Sequence, residues 1–141
     1  MNTVSPQVIE NLKAGMRGPV ILPGDPTYEQ DRRIWNAMID KHPAAIAQCS
    51  GVADVMHAVR GVRDEGLLIS VRGGGHNIAG NAICDDGLTI DLSAQRSVHI
   101  DPEARRAYVA PGATLGDLDH EAQGPGDSCL HSPGWHDCHA R

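Results

Sequence analysis

AAIAQCSGVADVMHAVRGVRDEGLLISVRGGGHNIAG, from Ala44 to Gly80, is the stretch from which the fold is read. AAIAQC reads as a short apolar strand. Ser50 stands where a helix cap belongs, and Val52, Val55, Met56, Val59 and Val62 follow at intervals of three and four, one stripe along one helical face. Gly66 ends that helix, and LLISV is a continuous apolar run, as expected of a strand covered on both faces. Strand, helix and strand make a βαβ unit with a parallel pair.

The second strand runs straight into Gly73, Gly74 and Gly75, a bare backbone followed by one imidazole, His76. Without side chains in the way, several N–H groups can point in one direction and form a concave anion site, for which a diphosphate is the natural guest. Two common phosphate signatures fail. Gly75 and Gly80 have Walker A spacing, but Asn81 and Ala82 replace the Lys-Ser/Thr pair. A dinucleotide fingerprint would need its third glycine at position 78 or 79, where Ile78 and Ala79 stand. Spacing alone leaves open a plain connection with a solvated His76.

Downstream, GLTIDL is a further strand, and RSVHIDPEARRAYVA holds two alternating runs about Asp101-Pro102-Glu103-Ala104. Proline at the second turn position favours a type I hairpin turn there. Pro111 and Gly112 break the pattern, and Thr114 with Asp117 caps a last short helix through Leu118 and Ala122. Upstream, Pro6, Val8, Ile9, Leu12 and Gly15 mark a first helix, followed by a looser arm anchored by Tyr28, Ile34, Trp35, Met38 and Ile39. The expected organisation is a helix and arm over 1–40, a subdomain over 41–123 and an irregular tail over 124–141. The fold class is α+β, a mixed βαβ-plus-hairpin sheet with packed helices.

The chain has 141 residues, one domain by length, and its core must come from Val, Ile, Leu, Ala and Met because aromatic residues are 3% and Phe is missing. A net charge of −6 removes the electrostatic basis for nucleic-acid binding. No run approaches the ~18 apolar residues of a membrane span, and the first residues lack the basic start and apolar centre of a secretory signal, so a cytoplasmic protein is expected. Of the cysteines, Cys49 sits in an apolar run as a small hydrophobe. His57, on the exposed side of its helix, and His99, in an alternating strand, read as surface or edge residues, and Asp91 with Asp85-Asp86-Gly87 does not form a catalytic pair.

After Gln123 the sequence changes abruptly to GPGDSCLHSPGWHDCHAR. Two readings stand: a disordered or out-of-frame tail, or a metal site from Cys129, His131, His136, Cys138 and His139. Zinc ligands usually stand two to four residues apart within a turn, and here they are crowded with no supporting element.

From Tyr28 to Gln123 the chain resembles the start of the FAD-binding domain of the vanillyl alcohol oxidase and p-cresol methylhydroxylase type, above all its berberine bridge enzyme-like oxidases. GDPTYEQDRRIWNAMIDKHPAAIAQC, VADVMHAVRGVRDEGLLISVRGGGHNIAG and DGLTIDLSAQRSVHIDPEARRAYVAPGATLGDLDHEAQ follow in order. The resemblance implies that the backbone of Arg72, Gly73, Gly74, Gly75, His76 and Asn77 holds the FAD diphosphate, with the Arg72 charge beside it. It implies a covalent bond from His76 to the flavin 8α-carbon, suited to an imidazole that is largely neutral at pH 7. It puts Pro111 and Gly112 by the adenosine half. The implied reaction takes hydride from a substrate C–H to flavin N5 and returns the electrons to oxygen, the flavin carrying the hard chemistry.

The family's next segment, glycine-rich and in some relatives carrying a flavin-bonding cysteine, is replaced by the tail, and neither Cys129 nor Cys138 is assigned. The chain is therefore expected to be the first half of the FAD-binding domain, an N-terminal fragment lacking the substrate domain, with apolar faces exposed to self-association. The rival expectation is an inactive binding module with the same fold and a metal-binding tail. The substrate is not legible.

Overall fold

The computed structural model describes residues 4–63 and 65–123. The tail, with its candidate metal ligands Cys129, His131, His136, Cys138 and His139, lies outside the described residues. Helix α1 (Pro6–Gly15) starts as the sequence suggests, with Ser5 Oγ accepting from the Val8 amide at 3.4 Å and Pro6 in the first turn. Strand β1 (Val20–Ile21) and the single turn α2 (Tyr28–Asp31) follow. Then come β2 (Ala45–Gln48), α3 (Val52–Arg63), β3 (Ile69–Arg72), β4 (Leu88–Asp91), the hairpin β5 (Val98–Asp101) and β6 (Arg106–Val109), and α4 (Leu115–Ala122).

The strand order is β1-β2-β4-β3, with β1 antiparallel and the other three parallel. The expected βαβ is present, but its two strands are not neighbours: β4 lies between them. The strand that follows the glycine loop therefore becomes the centre of the sheet. All four of its residues are buried, whereas β3, expected to be covered on both faces, is an edge strand with Val71 54% exposed. The hairpin forms its own two-stranded sheet instead of extending the first, and the side chain of Asp101 accepts from the Ala104 amide at 2.9 Å in its turn. The arm also contributes more than anchors, since β1 pairs with β2.

Side chains alternate across the parallel strands. Ala45, Ala47, Cys49, Leu88, Ile90 and Leu92 face α1 and α3, where Val8, Leu12, Ala58 and Val62 complete the main core. Ile46 points the other way, to Ile21 and Tyr28, whose hydroxyl donates to the Pro43 carbonyl at 2.7 Å.

The α3 stripe is rotated from its expected position. Val62 is buried and Val55 is partly buried, but Val52, Met56 and Val59 are exposed while Asp54 and Ala58 are buried. Asp54 sets this rotation by accepting the amides of Arg17 at 3.0 Å, Gly18 at 3.0 Å and Ser50 at 2.9 Å. The small Ala58 and Gly61 then let α1 approach, and a Cβ at Gly61 would lie 3.3 Å from Leu12 Cδ2. His57 is drawn into this contact, its Nε2 lying 2.9 Å from the Asn11 carbonyl oxygen. Of the arm anchors, Tyr28 is buried, but Trp35 and Met38 are 64% and 90% exposed.

Candidate flavin-binding cleft

At the carboxyl ends of the parallel strands, on the face away from α1 and α3, a polar row crosses the sheet. Gln48 of β2, Asp91 of β4 and Arg72 of β3 stand in register. Clefts outside the carboxyl ends of parallel strands are the usual ligand sites of such sheets. The Arg72 guanidinium meets the Asp91 carboxylate and donates to the carbonyls of Asp31 and, at 3.3 Å, Arg33. Gln48 Nε2 donates to Asp31 Oδ1 at 3.4 Å. The row thus holds the arm over the strand ends. The Arg72 charge is paired with Asp91, while its side chain also borders the cleft at the glycine loop.

The glycine loop leaves the sheet here. The Trp35 amide donates to the Gly75 carbonyl at 3.1 Å, and Gly75 has φ +73°, the left-handed conformation that lets successive amides converge. Among the described residues, the amides of Gly73, Gly74, Gly75 and His76 donate to no protein acceptor. Converging loop N–H groups left free in this way can receive an anion.

The segment after the hairpin returns to this loop. Gly112 donates to the Gln95 carbonyl at 2.9 Å, and Gln95 Nε2 donates to the Cys49 carbonyl at 3.0 Å. A Cβ at Gly73 would stand 2.2 Å from the Pro111 oxygen, and one at Gly112 would stand 2.1 Å from the Leu92 oxygen. Only glycine allows either backbone approach.

These segments enclose a cleft of about 320 Å³ whose walls include Arg72, Gly73, Gly74, Gly75 and Gly112, with Pro111 behind Gly73. His76 lies beside the cleft, exposed, with its imidazole stacked on Trp35. Asn77 is turned to a local role: its Oδ1 accepts from the Asn81 amide at 3.0 Å. The sequence reading missed Gln30, Arg33, Trp35, Ser93 and Arg96 as cleft residues, and took Thr114 only as a helix cap. Arg96 donates to both carboxylate oxygens of Asp117 at 2.8 to 3.0 Å. That pair and the Thr114 amide hold the Asp117 carboxyl down to about 2. The Cys49 thiol is pushed up to about 11 by burial, reinforced by Asp54 and Asp91, so it is not a nucleophile for the cleft.

Among the described residues no group of three His, Cys, Asp or Glu could hold a metal ion, and no helix is long and apolar enough to cross a membrane.

Comparison with known proteins gives the ligand. A family model described as FAD binding domain matches residues 43–138. The chain is 41% identical over 107 residues to (R)-6-hydroxynicotine oxidase of Paenarthrobacter nicotinovorans, covering 76% of this chain and 23% of that protein. It is 32% identical over 112 residues to berberine bridge enzyme-like 9 of Arabidopsis thaliana, covering 78% and 21%. Among solved structures, 6-hydroxy-D-nicotine oxidase from Arthrobacter nicotinovorans superposes with a TM-score of 0.72 at 41% identity, over 76% of this chain and 24% of that one. Physcomitrella patens BBE-like 1 gives 0.71 at 27% identity, over 79% and 24%. The chain therefore spans about a quarter of the length of these relatives.

The cleft fits that cofactor, with bare amides for a diphosphate and glycines where the backbones must meet. FAD is its cofactor, and the chain belongs to the FAD binding domain family, among FAD-linked oxidoreductases that include berberine bridge enzyme-like proteins.

Proposed function

We propose that the chain is the flavin-holding part of an oxidase that takes hydride from a substrate C–H, and that His76 bonds covalently to the flavin. The observation that carries the reading is the glycine run at the cleft wall, where among the described residues the amides of Gly73, Gly74 and Gly75 have no protein acceptor and His76 follows beside the cleft. In this reading the amides of Gly73, Gly74 and Gly75 receive the diphosphate, and Gly112 with Pro111 borders the adenosine half. Arg72 and Asn77 act through loop geometry. When bound, FAD supplies an acceptor for two electrons. The protein supplies the cradle and the imidazole that bonds to the flavin.

The division into an arm over 1–40, a flavin subdomain over 41–123 and a distinct tail belongs to the same proposal. So does a cytoplasmic location, supported by the free thiols of Cys49 and Cys84. Val71, exposed on the edge strand β3, and Leu68 just before that strand support self-association through that edge.

The test is expression with excess FAD, acid precipitation, and intact mass with the visible spectrum of the washed pellet. An added mass of one FAD, lost in His76→Ala, is expected. A colourless pellet with neither added mass nor reversible FAD binding by the native chain would favour the inactive module instead.

A further inference from the structure

Trp35 is the aromatic partner of His76: the two rings stack with centroids 5.8 Å apart and planes inclined by 26°. Core packing does not account for the position of this indole, which is 64% exposed. Its backbone does. The Trp35 amide donates to the Gly75 carbonyl at 3.1 Å, and Asn36 Nδ2 donates to the Ile78 carbonyl at 3.0 Å, so two hydrogen bonds bracket His76 on either side. Four and two residues before Trp35, the carbonyls of Asp31 and Arg33 are gripped by Arg72, itself anchored on Asp91. The segment from Asp31 to Asn36 is therefore registered against the loop from Gly75 to Ile78. That register places an indole face on the imidazole.

We infer that Trp35 is a positioning residue for His76, fixing the plane of the imidazole so that its edge, where both nitrogens lie, is presented for bond formation. The inference rests on the reading of His76 as the flavin attachment point. Attachment exchanges the imidazole N–H and one flavin 8α C–H for an N–C bond, with dioxygen taking the two protons and two electrons as hydrogen peroxide. The reacting lone pair lies in the ring plane, so a ring free to swing about its Cβ–Cγ bond spends much of its time misdirected. A stacked face removes that freedom in advance.

The experiment measures the rate constant of FAD mass gain by the full chain at saturating FAD, together with the FAD concentration giving half the limiting rate. Trp35→Ala should lower the limiting rate about tenfold, and Trp35→Phe, which keeps a ring face, should restore most of it. In the FAD-free chain, the imidazole C–H proton resonances that vanish in His76→Ala should carry an indole ring-current shift, and Trp35→Ala should remove it.

An unchanged limiting rate in Trp35→Ala would overturn the inference, even if half-saturation shifted, because that would show mere contact with FAD. A parent chain without the ring-current shift would overturn it as well. A parent that takes up FAD reversibly and never gains its mass removes the covalent reading of His76, and this role for Trp35 with it.

Discussion

Arg72 and Asp91 form a buried ion pair at the carboxyl ends of adjacent parallel strands, and the pair faces the arm, not the core helices. An isolated charge here would be costly, so each ion depends on the other. Removing one partner, by Arg72→Leu or Asp91→Asn, should destabilise the fold by about 3 to 5 kcal/mol, read from urea midpoints. The double replacement Arg72→Met with Asp91→Leu should regain most of that loss. It should still weaken FAD binding, because no guanidinium then holds the carbonyls of Asp31 and Arg33. Full retention of FAD affinity in the double variant would refute the anchoring role.

Asp54 makes stability depend on acid. Its carboxylate accepts the amides of Arg17, Ser50 and Gly18, which hold its pKa below the usual carboxylate value despite burial. A carboxyl depressed on folding contributes stability that is complete above the unfolded value of about 3.9 and is lost as pH falls through the folded value. Asp54→Ala should cost about 1 to 3 kcal/mol at pH 7 by leaving buried amides unpaired. It should also flatten the fall of stability below pH 4. A variant with the parent's acid slope would show that other carboxylates set it.

The sequence made most elements legible because their signals are local. Pro6 and Gly15 bound α1, and Thr114 with Asp117 forms the capping box of α4. The order of the strands was less legible, since nothing in LTID says that β4 inserts between β2 and β3. The burial of α3 also went astray because valine periodicity cannot show that a carboxylate at the helix start fixes its rotation. In the cleft, the glycines announced themselves, but Trp35 lies some forty residues before the loop it touches, and Arg72 gave a charge without its partner. Pairings across the sheet decide both, and single-chain spacing does not contain them.

Gly73 and Gly74 should respond differently to the same methyl group. At Gly73 a Cβ would overlap the Pro111 oxygen at 2.2 Å, whereas at Gly74 the nearest atom is His76 Cδ2 at 3.4 Å. Gly73→Ala should therefore lower the thermal midpoint and weaken FAD binding at least about tenfold, because two backbones must part. Gly74→Ala should leave the midpoint within a few degrees, corresponding to about 0.5 kcal/mol, and still weaken FAD if the cofactor approaches this backbone. Equal midpoints for the two variants would contradict the packing of Pro111 on Gly73.

The open edge of β3 should govern self-association. Leu68 and Val71 are 61% and 54% exposed beside backbone groups that no neighbouring strand covers among the described residues. A lysine at such an edge opposes pairing with another strand. Val71→Lys should shift sedimentation toward the monomer at a concentration where the parent associates. An unchanged distribution would place the contact elsewhere.

Helix α4 has no fully buried residue, so its caps carry much of the task of holding it against β5. Thr114 Oγ1 accepts from the Asp117 amide at 3.2 Å, the Asp117 carboxylate accepts from the Thr114 amide at 2.7 Å, and Arg96 joins that carboxylate with two nitrogens. With the Asp117 carboxyl held at about 2, its contribution is whole above the unfolded value of about 3.9 and fades only as pH falls through about 2. Amide protection in α4 should thus persist from neutral pH to about pH 4 and drop between pH 4 and pH 2. Arg96→Gln removes one of the causes of the depression, so the drop should begin at higher pH. Because Arg96 and Thr114 also border the cleft, FAD affinity should decline over the same acid window. Protection of α4 that shows no pH dependence in parent and variant alike would mean that something other than this carboxylate holds the helix in place.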